Sequence, residues 1–267
     1  MREAPDDLEA IEAALRATDA VGGVVQAVWA LSRAPLPRLD ETVHDALAYY
    51  DEVDEVIDVL VGPPRIAAAD EVLRVVIGPE RSFCGVLPVR VRDQIPADGA
   101  PLGIVGTRLA DALGRRPSLR ARQRFVIPAP GSVDDLGDAA ERLCSAVLAA
   151  AEDRAVTVHH ATGDGARLRG AVLLATRAPR DQPPVDRFSP LEVLVRDALH
   201  EAMTGRLYVA LADALRTEVR WRVAATERAR RAIEERKNLL DVARRVRAQE
   251  RVTRELGELV AGLLGVD

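Results

Sequence analysis

Few residues in this chain have the type and spacing to do covalent or metal chemistry. Cys84, in Phe83-Cys84-Gly85, is one of two cysteines. A cysteine attacks only as its thiolate, which a neighbouring base or cation must favour. No histidine is local to Cys84, so the sequence reads it as a buried structural thiol. His159 and His160 are adjacent on a segment with strand character. Neighbouring strand residues point to opposite faces, which argues against a shared metal. Gly103-Ile-Val-Gly106 has half the look of a dinucleotide loop, but lacks the G-x-G-x-x-G glycines and reads as a strand-to-helix turn. Gln249 and Thr253 are four residues apart and share one face of a helix. Two such polar groups can exchange hydrogen-bond partners with a surface that moves past them. That is contact chemistry rather than catalysis, and no cofactor is expected.

Positioning that pair falls to an unusual element. No proline occurs from Leu191 to Asp267. The segment reads as one helix, roughly 115 Å long at about 1.5 Å per residue. No single domain of this chain can bury such a helix along its length, so it must pack on another helix, another chain, or both. Its apolar positions step by three and four: Leu207, Leu211 and Leu215, then Ala225, Ala229 and Ile233, then Leu239, Ala243 and Val246, then Val252, Leu256, Leu259 and Leu263.

At the other end, residues 6–33 read as helix, with Gly22-Gly23 as a weak point. Pro35 and Pro37 demand a break. Asp40 can cap a second helix, which runs to about Leu60 and stops at Gly62-Pro63-Pro64. Between these helical ends, strands are expected at Val72–Ile77, Leu102–Val105 and Arg124–Ile127. A helix is expected from Asp134 to Ala151, and a hairpin at Ala155–His160 and Leu168–Ala175 around Gly163-Asp164-Gly165. The expected fold class is therefore α/β. A long antiparallel two-helix coiled coil of the two terminal segments carries an inserted small α/β (Rossmann-like) domain. The expected divisions are 1–62, 63–189 and 190–267.

Composition narrows the function classes. The net charge of −5 argues against a dedicated nucleic-acid binder, and no apolar run approaches the roughly 20 residues that span a bilayer. The N-terminus lacks an apolar leader region, and two distant cysteines fit a reducing cytoplasm. The charge is unevenly placed. Residues 40–60 carry Asp40, Glu41, Asp45, Asp51, Glu52, Asp54, Glu55 and Asp58 and no Lys or Arg, while residues 216–254 carry thirteen Lys or Arg against six acids. Opposite charge favours pairing of the two segments, at about 0.2–1 kcal/mol per exposed pair. A coiled-coil scaffold, or a small α/β enzyme with a long dimerisation helix, fits the same outline.

Two motifs go further. Val75-Val-Ile-Gly-Pro-Glu-Arg-Ser-Phe-Cys-Gly85 is similar to the S-D-R-G-L-C-G-x-x-N segment of the gamma subunits of F-type rotary ATP synthases, keeping Arg81, Cys84 and Gly85, with Ser82 for a glycine and no closing asparagine. Its Pro-Glu-Arg-Ser-Phe-Cys-Gly form also resembles the alternative, sometimes sodium-linked, rotary ATPases. The second motif, R-Q-x-x-I-T-x-E-L-x-E-I-V-x-G, is similar to Ala248–Gly262, matching at Gln249, Thr253, Glu255, Leu256, Glu258, Val260 and Gly262. Glu218 and Arg222 fall at family-like spacing, and Gly23–Leu31 is similar to the family's N-terminal helix.

The resemblance implies a non-catalytic central-stalk subunit. It implies alpha, beta and epsilon subunits and the membrane c-ring as partners, with neither nucleic-acid binding nor insertion into the membrane. The complex would lie peripherally on the cytoplasmic side of the cell membrane. The resemblance assigns Gln249, Thr253, Glu255 and Arg247 to rotor–stator contact, with Arg247 one residue before the family's arginine position. A basic belt of Arg228, Arg231, Arg236, Arg244 and Arg251 would face acidic loops of the beta subunits. Arg81, Cys84, Gly85 and Gly262 would be structural. The coupling ion, proton or sodium, is left open.

Overall fold

The computed structural model describes residues 8–62, 64–65, 71–163, 167–174, 176–177 and 190–265. The chain forms two compact units: Met1–Leu31 with Val223–Asp267, and Ser32–Arg222. The divisions expected from sequence at 62/63 and 189/190 both fall inside the second unit.

The first unit is a helix pair. Helix α1 (Leu8–Arg33) lies against the C-terminal part of the longest helix, α7 (Leu191–Leu264). Ile11 and Leu15 form a small core with Leu240, flanked by Ala14 and Ala243. Asp19 pairs with Lys237 (2.8 Å), Gly22 faces Ile233, and the Arg230 guanidinium stands 5.1 Å from the Trp29 ring centre. Rising numbers on α1 meet falling numbers on α7, so the pair is antiparallel. Small residues at the seam allow close approach: a Cβ on Gly22 would meet Ile233 at 3.4 Å. The buried seam residue is Leu240, at 3% exposure, whereas Leu239 is 72% exposed. The expected seam position is thus corrected by one residue, which turns a helix by about 100°.

The second unit is built on a five-stranded sheet. Its strands are β2 (Val72–Ile77), β3 (Leu102–Val105), β4 (Gln123–Ile127), β5 (Ala155–Thr162) and β6 (Arg167–Leu174). Their order is β4-β3-β2-β5-β6, all parallel except the β5–β6 hairpin. Strands β2 and β3 are buried, as expected of the centre of a parallel sheet. On one face α6 (Leu136–Ala151) and the N-terminal third of α7 share a core that includes Leu143, Val147, Leu207 and Leu211. The core on the other face uses α3 (Leu87–Asp93), α4 (Thr107–Gly114) and Leu119 of the short α5 (Pro117–Arg120). A separate two-stranded ribbon joins β1 (Pro64–Arg65) to β7 (Thr176–Arg177). These short elements have too little periodicity to be read from sequence. Residues 164–166 and 175 of the expected hairpin lie outside the described residues.

Helix α2 (Leu36–Val61) completes the second unit. The break at the two prolines is where sequence puts it, but the cap is not. Pro37 sits in the first turn, where its missing N–H costs nothing. Asp40 is therefore inside the helix and, instead of capping it, accepts from Arg220 (2.6 Å) and lies 3.7 Å from Arg216. Asp54 pairs with Arg206 at 2.8 Å. The expected pairing of acidic and basic segments is thus made within this unit by Asp40, whereas Asp54 reaches an arginine that precedes the basic segment. Close packing accompanies it, since a Cβ on Gly205 would overlap the Tyr50 ring.

At the N-terminal ends of β2–β4, Asp98 accepts from Arg74 (2.9 and 2.8 Å) and Arg122 (3.2 Å). The Arg74 hydrogen bonds hold its carboxyl down, to about 2. A depressed carboxyl stabilises the fold above its ordinary value of about 3.9, and that stabilisation is lost as pH falls. Asp98→Asn should therefore be less stable than the parent at neutral pH, with the gap closing between about pH 4 and pH 2 in urea titrations. Gly205→Ala should destabilise by about 1–3 kcal/mol through overpacking against Tyr50. Gly23→Ala, with open space around it, should instead stabilise by about 0.5–1 kcal/mol. Opposite signs from the same substitution in one helical background are the check.

Candidate functional site

The Pro79–Gly85 segment leaves the C-terminal end of β2 as a tight knuckle. Gly78 and Gly106 make it possible. A Cβ on Gly78 would run into Leu109, and one on Gly106, whose φ is +109°, would strike the Gly78 carbonyl. Phe83 takes a left-handed φ of +67°, uncommon outside glycine, and Gly85 follows at +58°. Phe83 is 53% exposed.

The knuckle is fastened from two sides by carboxylates. Glu218 of α7 is 3% exposed; its Oε2 accepts from the Glu80 backbone N–H (2.8 Å) and its Oε1 from that of Arg81 (3.0 Å). Burial pushes the Glu218 carboxyl up, opposed by these two N–H groups and by the charges of Arg222 and Arg81. The Glu80 side chain turns the other way. It accepts from the Thr107 N–H (2.9 Å), the Thr107 hydroxyl (2.9 Å) and the Ala129 N–H (3.0 Å), so it serves the exposed N–H groups at the start of α4. Arg108 adds a bond to Ser82 Oγ (2.6 Å).

Cys84 is 3% exposed. Its thiol donates to the Arg81 carbonyl (3.1 Å). Burial, reinforced by the charge of Glu218, pushes the thiol up to about 12. Such a group stays protonated at neutral pH and is no nucleophile. Arg81 is exposed, with its guanidinium near Gly131. Arg90 lies 5.1 Å from the Trp221 ring centre.

Behind the sheet, His160 Nε2 lies 3.1 Å from Asp213 Oδ2, both side chains under 8% exposed. Asp213 also accepts from Arg216, which reaches Asp40. This run ties β5, α7 and α2 together, and nothing in residue type or spacing announced it. His159 points the other way, with Nε2 3.1 Å from Thr157 Oγ1, and burial takes it down to about 4. The two adjacent histidines thus sit on opposite faces. Gly103 packs under Phe125, where a Cβ would meet the ring.

Along α7, the other expected residues all lie on surface. Gln249 and Thr253 are exposed, and the Thr253 hydroxyl donates to the Gln249 carbonyl (2.9 Å). Arg247 pairs with Glu250 (2.8 Å) and Arg251 with Glu255 (3.4 Å). Arg231 pairs with Glu227 (3.3 Å) and Arg244 with Asp241 (3.1 Å), whereas Arg228 and Arg236 are exposed and make no ion pair among the described residues. Gly262 has open space around its Cα. The structure brings Arg81, Cys84 and Gly85 together with Glu218, and leaves Gln249, Thr253 and Glu255 along one exposed helix end. Sequence reading missed the role of Glu80; a carboxylate directly after a strand-ending Gly-Pro was the available signal.

The family model for ATP synthase matches residues 7–265. The fold is similar to a chain in the OSCP/F1/c-ring assembly of the Euglena gracilis mitochondrial ATP synthase in rotational state 3, with a TM-score of 0.68 and 15% identity, covering 97% of this chain and 94% of that one. A chain of the rotor of the same enzyme in rotational state 1 gives 0.60 at 13% identity, over 92% and 98%. A chain of the central stalk and c-ring of the Tetrahymena thermophila mitochondrial ATP synthase gives 0.57 at 15% identity, over 77% and 99%. No curated protein matches significantly by sequence.

Glu218→Ala would leave two N–H groups without their charged acceptor, at a cost of about 3 kcal/mol in urea unfolding. In the native parent at pH 8, thiol-reactive dye should label Cys84 more than about a hundredfold slower than free cysteine. The variant should label measurably faster at that position.

Proposed function

We propose a rotary-coupling role for this chain, which belongs to the gamma-subunit family of ATP synthases. In this reading it is the shaft of the central stalk, and ATP chemistry is done by the beta subunits. Residues 1–62 and 190–267 supply the shaft and 63–189 the inserted domain.

One observation carries the reading: every side chain from Gln249 to Leu263 is exposed. Among them Val252 is 51% exposed, Leu256 57%, Leu259 63%, Val260 52% and Leu263 85%. Burying a leucine is worth about 1.5–3 kcal/mol, so a helix end that exposes three of them is made to be enclosed. Gly257 and Gly262 support this. Each has open space within the chain, and each costs the helix about 1 kcal/mol relative to alanine. A partner's close approach gives them a reason.

The enclosing partner is the ring of alpha and beta subunits. Gln249, Thr253, Glu255 and Arg247 contact the ring, and Arg228, Arg231, Arg236, Arg244 and Arg251 face its acidic loops. Rotation changes which partner groups these side chains meet. Coupling is the resulting difference in contact free energy between orientations, without which no ligand state can be driven. The c-ring and an epsilon subunit bind toward the opposite end. No described helix is long and apolar enough to cross a membrane, and the subunit is peripheral. We place it on the cytoplasmic face.

In the reconstituted complex, Gln249→Leu with Thr253→Val should lower ion-driven ATP synthesis by roughly tenfold, the equivalent of losing two hydrogen bonds of about 0.7 kcal/mol each. The thermal midpoint of the isolated subunit should not move. An unchanged coupled rate would remove the contact assignment. Copurification of a homodimer without alpha and beta would remove the shaft itself.

A further inference from the structure

The acidic run on α2 is only partly used by the fold. Asp40 and Asp54 take arginines of α7. Glu41, Asp45, Glu52 and Glu55 are exposed and make no ion pair among the described residues. They share their face with exposed apolar residues. Tyr49 is 53% exposed, Val56 58% and Val59 42%. Tyr49 and Val56 lie seven residues apart and Val59 three further on, so the three share one helix face with Asp45 and Glu52 set among them. Tyr49 is also braced. Its ring stands edge-on to Tyr50 at 4.8 Å and 83°, and Tyr50 lies 6.4 Å from Tyr208. An aromatic held in place loses little entropy on binding and makes a good anchor.

We propose that this outward face of α2 docks a basic amphipathic helix of another protein, its apolar seam on Tyr49 and Val56 and its lysines or arginines against these acids. The charge decides the occupant. Anionic lipid and nucleic acid are repelled by a face without one cation in residues 40–60. A second copy meeting the same face would set acid against acid, which disfavours a symmetric dimer. The apolar row of Tyr49, Val56 and Val59 runs along the helix, which suits a partner helix laid lengthwise on it. Helix α2 lies within the 1–62 segment of the shaft reading, but the proposal uses none of the ring-contact residues of α7, so either can fail without the other.

The test uses the full chain and a fluorescent synthetic helix of three heptads, with leucine along the seam and lysine beside it. One control peptide has the same composition scrambled, and another carries glutamate for lysine. The lysine helix should bind, with slowed amide exchange confined to α2, and the scrambled peptide at least tenfold more weakly. Tyr49→Ala with Val56→Ala should weaken binding at least tenfold. Glu52→Lys with Glu55→Lys should switch preference to the glutamate helix. Both variants alter exposed side chains, and circular dichroism confirms their fold. Equal binding of the scrambled peptide, protection elsewhere than α2, or no switch in preference would overturn the proposal. So would sedimentation showing self-association that Tyr49→Ala with Val56→Ala abolishes.

Discussion

One buried carboxylate holds the second unit's most constrained segment in place. Glu218 has lost nearly all contact with water, and what compensates it is a pair of backbone N–H groups from the knuckle after β2. A buried anion is tolerated only when its oxygens are satisfied. A backbone turn whose N–H groups face inward is likewise tolerated only when they find an acceptor. Each supplies what the other lacks. Glu80 repeats the device one step out, passing the constraint to α4 and to the loop after β4. Two carboxylates thus align helix, knuckle and sheet, and the left-handed Phe83 is held by that frame.

The polar run behind the sheet has a related logic. His160, Asp213, Arg216, Asp40 and Arg220 lie between elements distant in sequence. Buried polar contacts of this kind add modestly to stability, because desolvation offsets much of the attraction. Their directional demands fix how far α7 slides along β5 and α2. Apolar packing of small residues alone would tolerate several registers.

Much of this was legible in the residues. The period-2 and buried runs at Val72–Ile77 and Ala155–His160 gave strands because β-branched residues cluster there without breakers. The long helix followed from the absence of proline after Pro190. The prolines at 35 and 37 gave the break, but the wrong cap, since proline tolerates the first turn that was denied to it. Leu239 was favoured over Leu240 because adjacent leucines cannot be told apart by periodicity. The proposed contact role of Gln249 and Thr253 came from motif alone. Both are exposed, and within the chain only the Thr253 hydroxyl bond to the Gln249 carbonyl is seen among the described residues. Glu80 and the His160 run escaped because a buried polar group is identified by its three-dimensional partner, not by its spacing.

The arginines of α7 lead to a last point. Glu227, Asp241, Glu250 and Glu255 sit three or four residues from Arg231, Arg244, Arg247 and Arg251 and pair with them. Each pair is a small dipole whose field decays faster than that of a bare charge. At physiological ionic strength the remainder is screened within about 8 Å. A helix of this composition attracts an acidic surface weakly from afar and would grip it only at contact, where an incoming carboxylate could displace the resident one. In the proposed rotary role, turning past such a surface would trade one short ion pair for another. On that proposal, the cost of leaving each contact would be offset by the in-chain acid beside it.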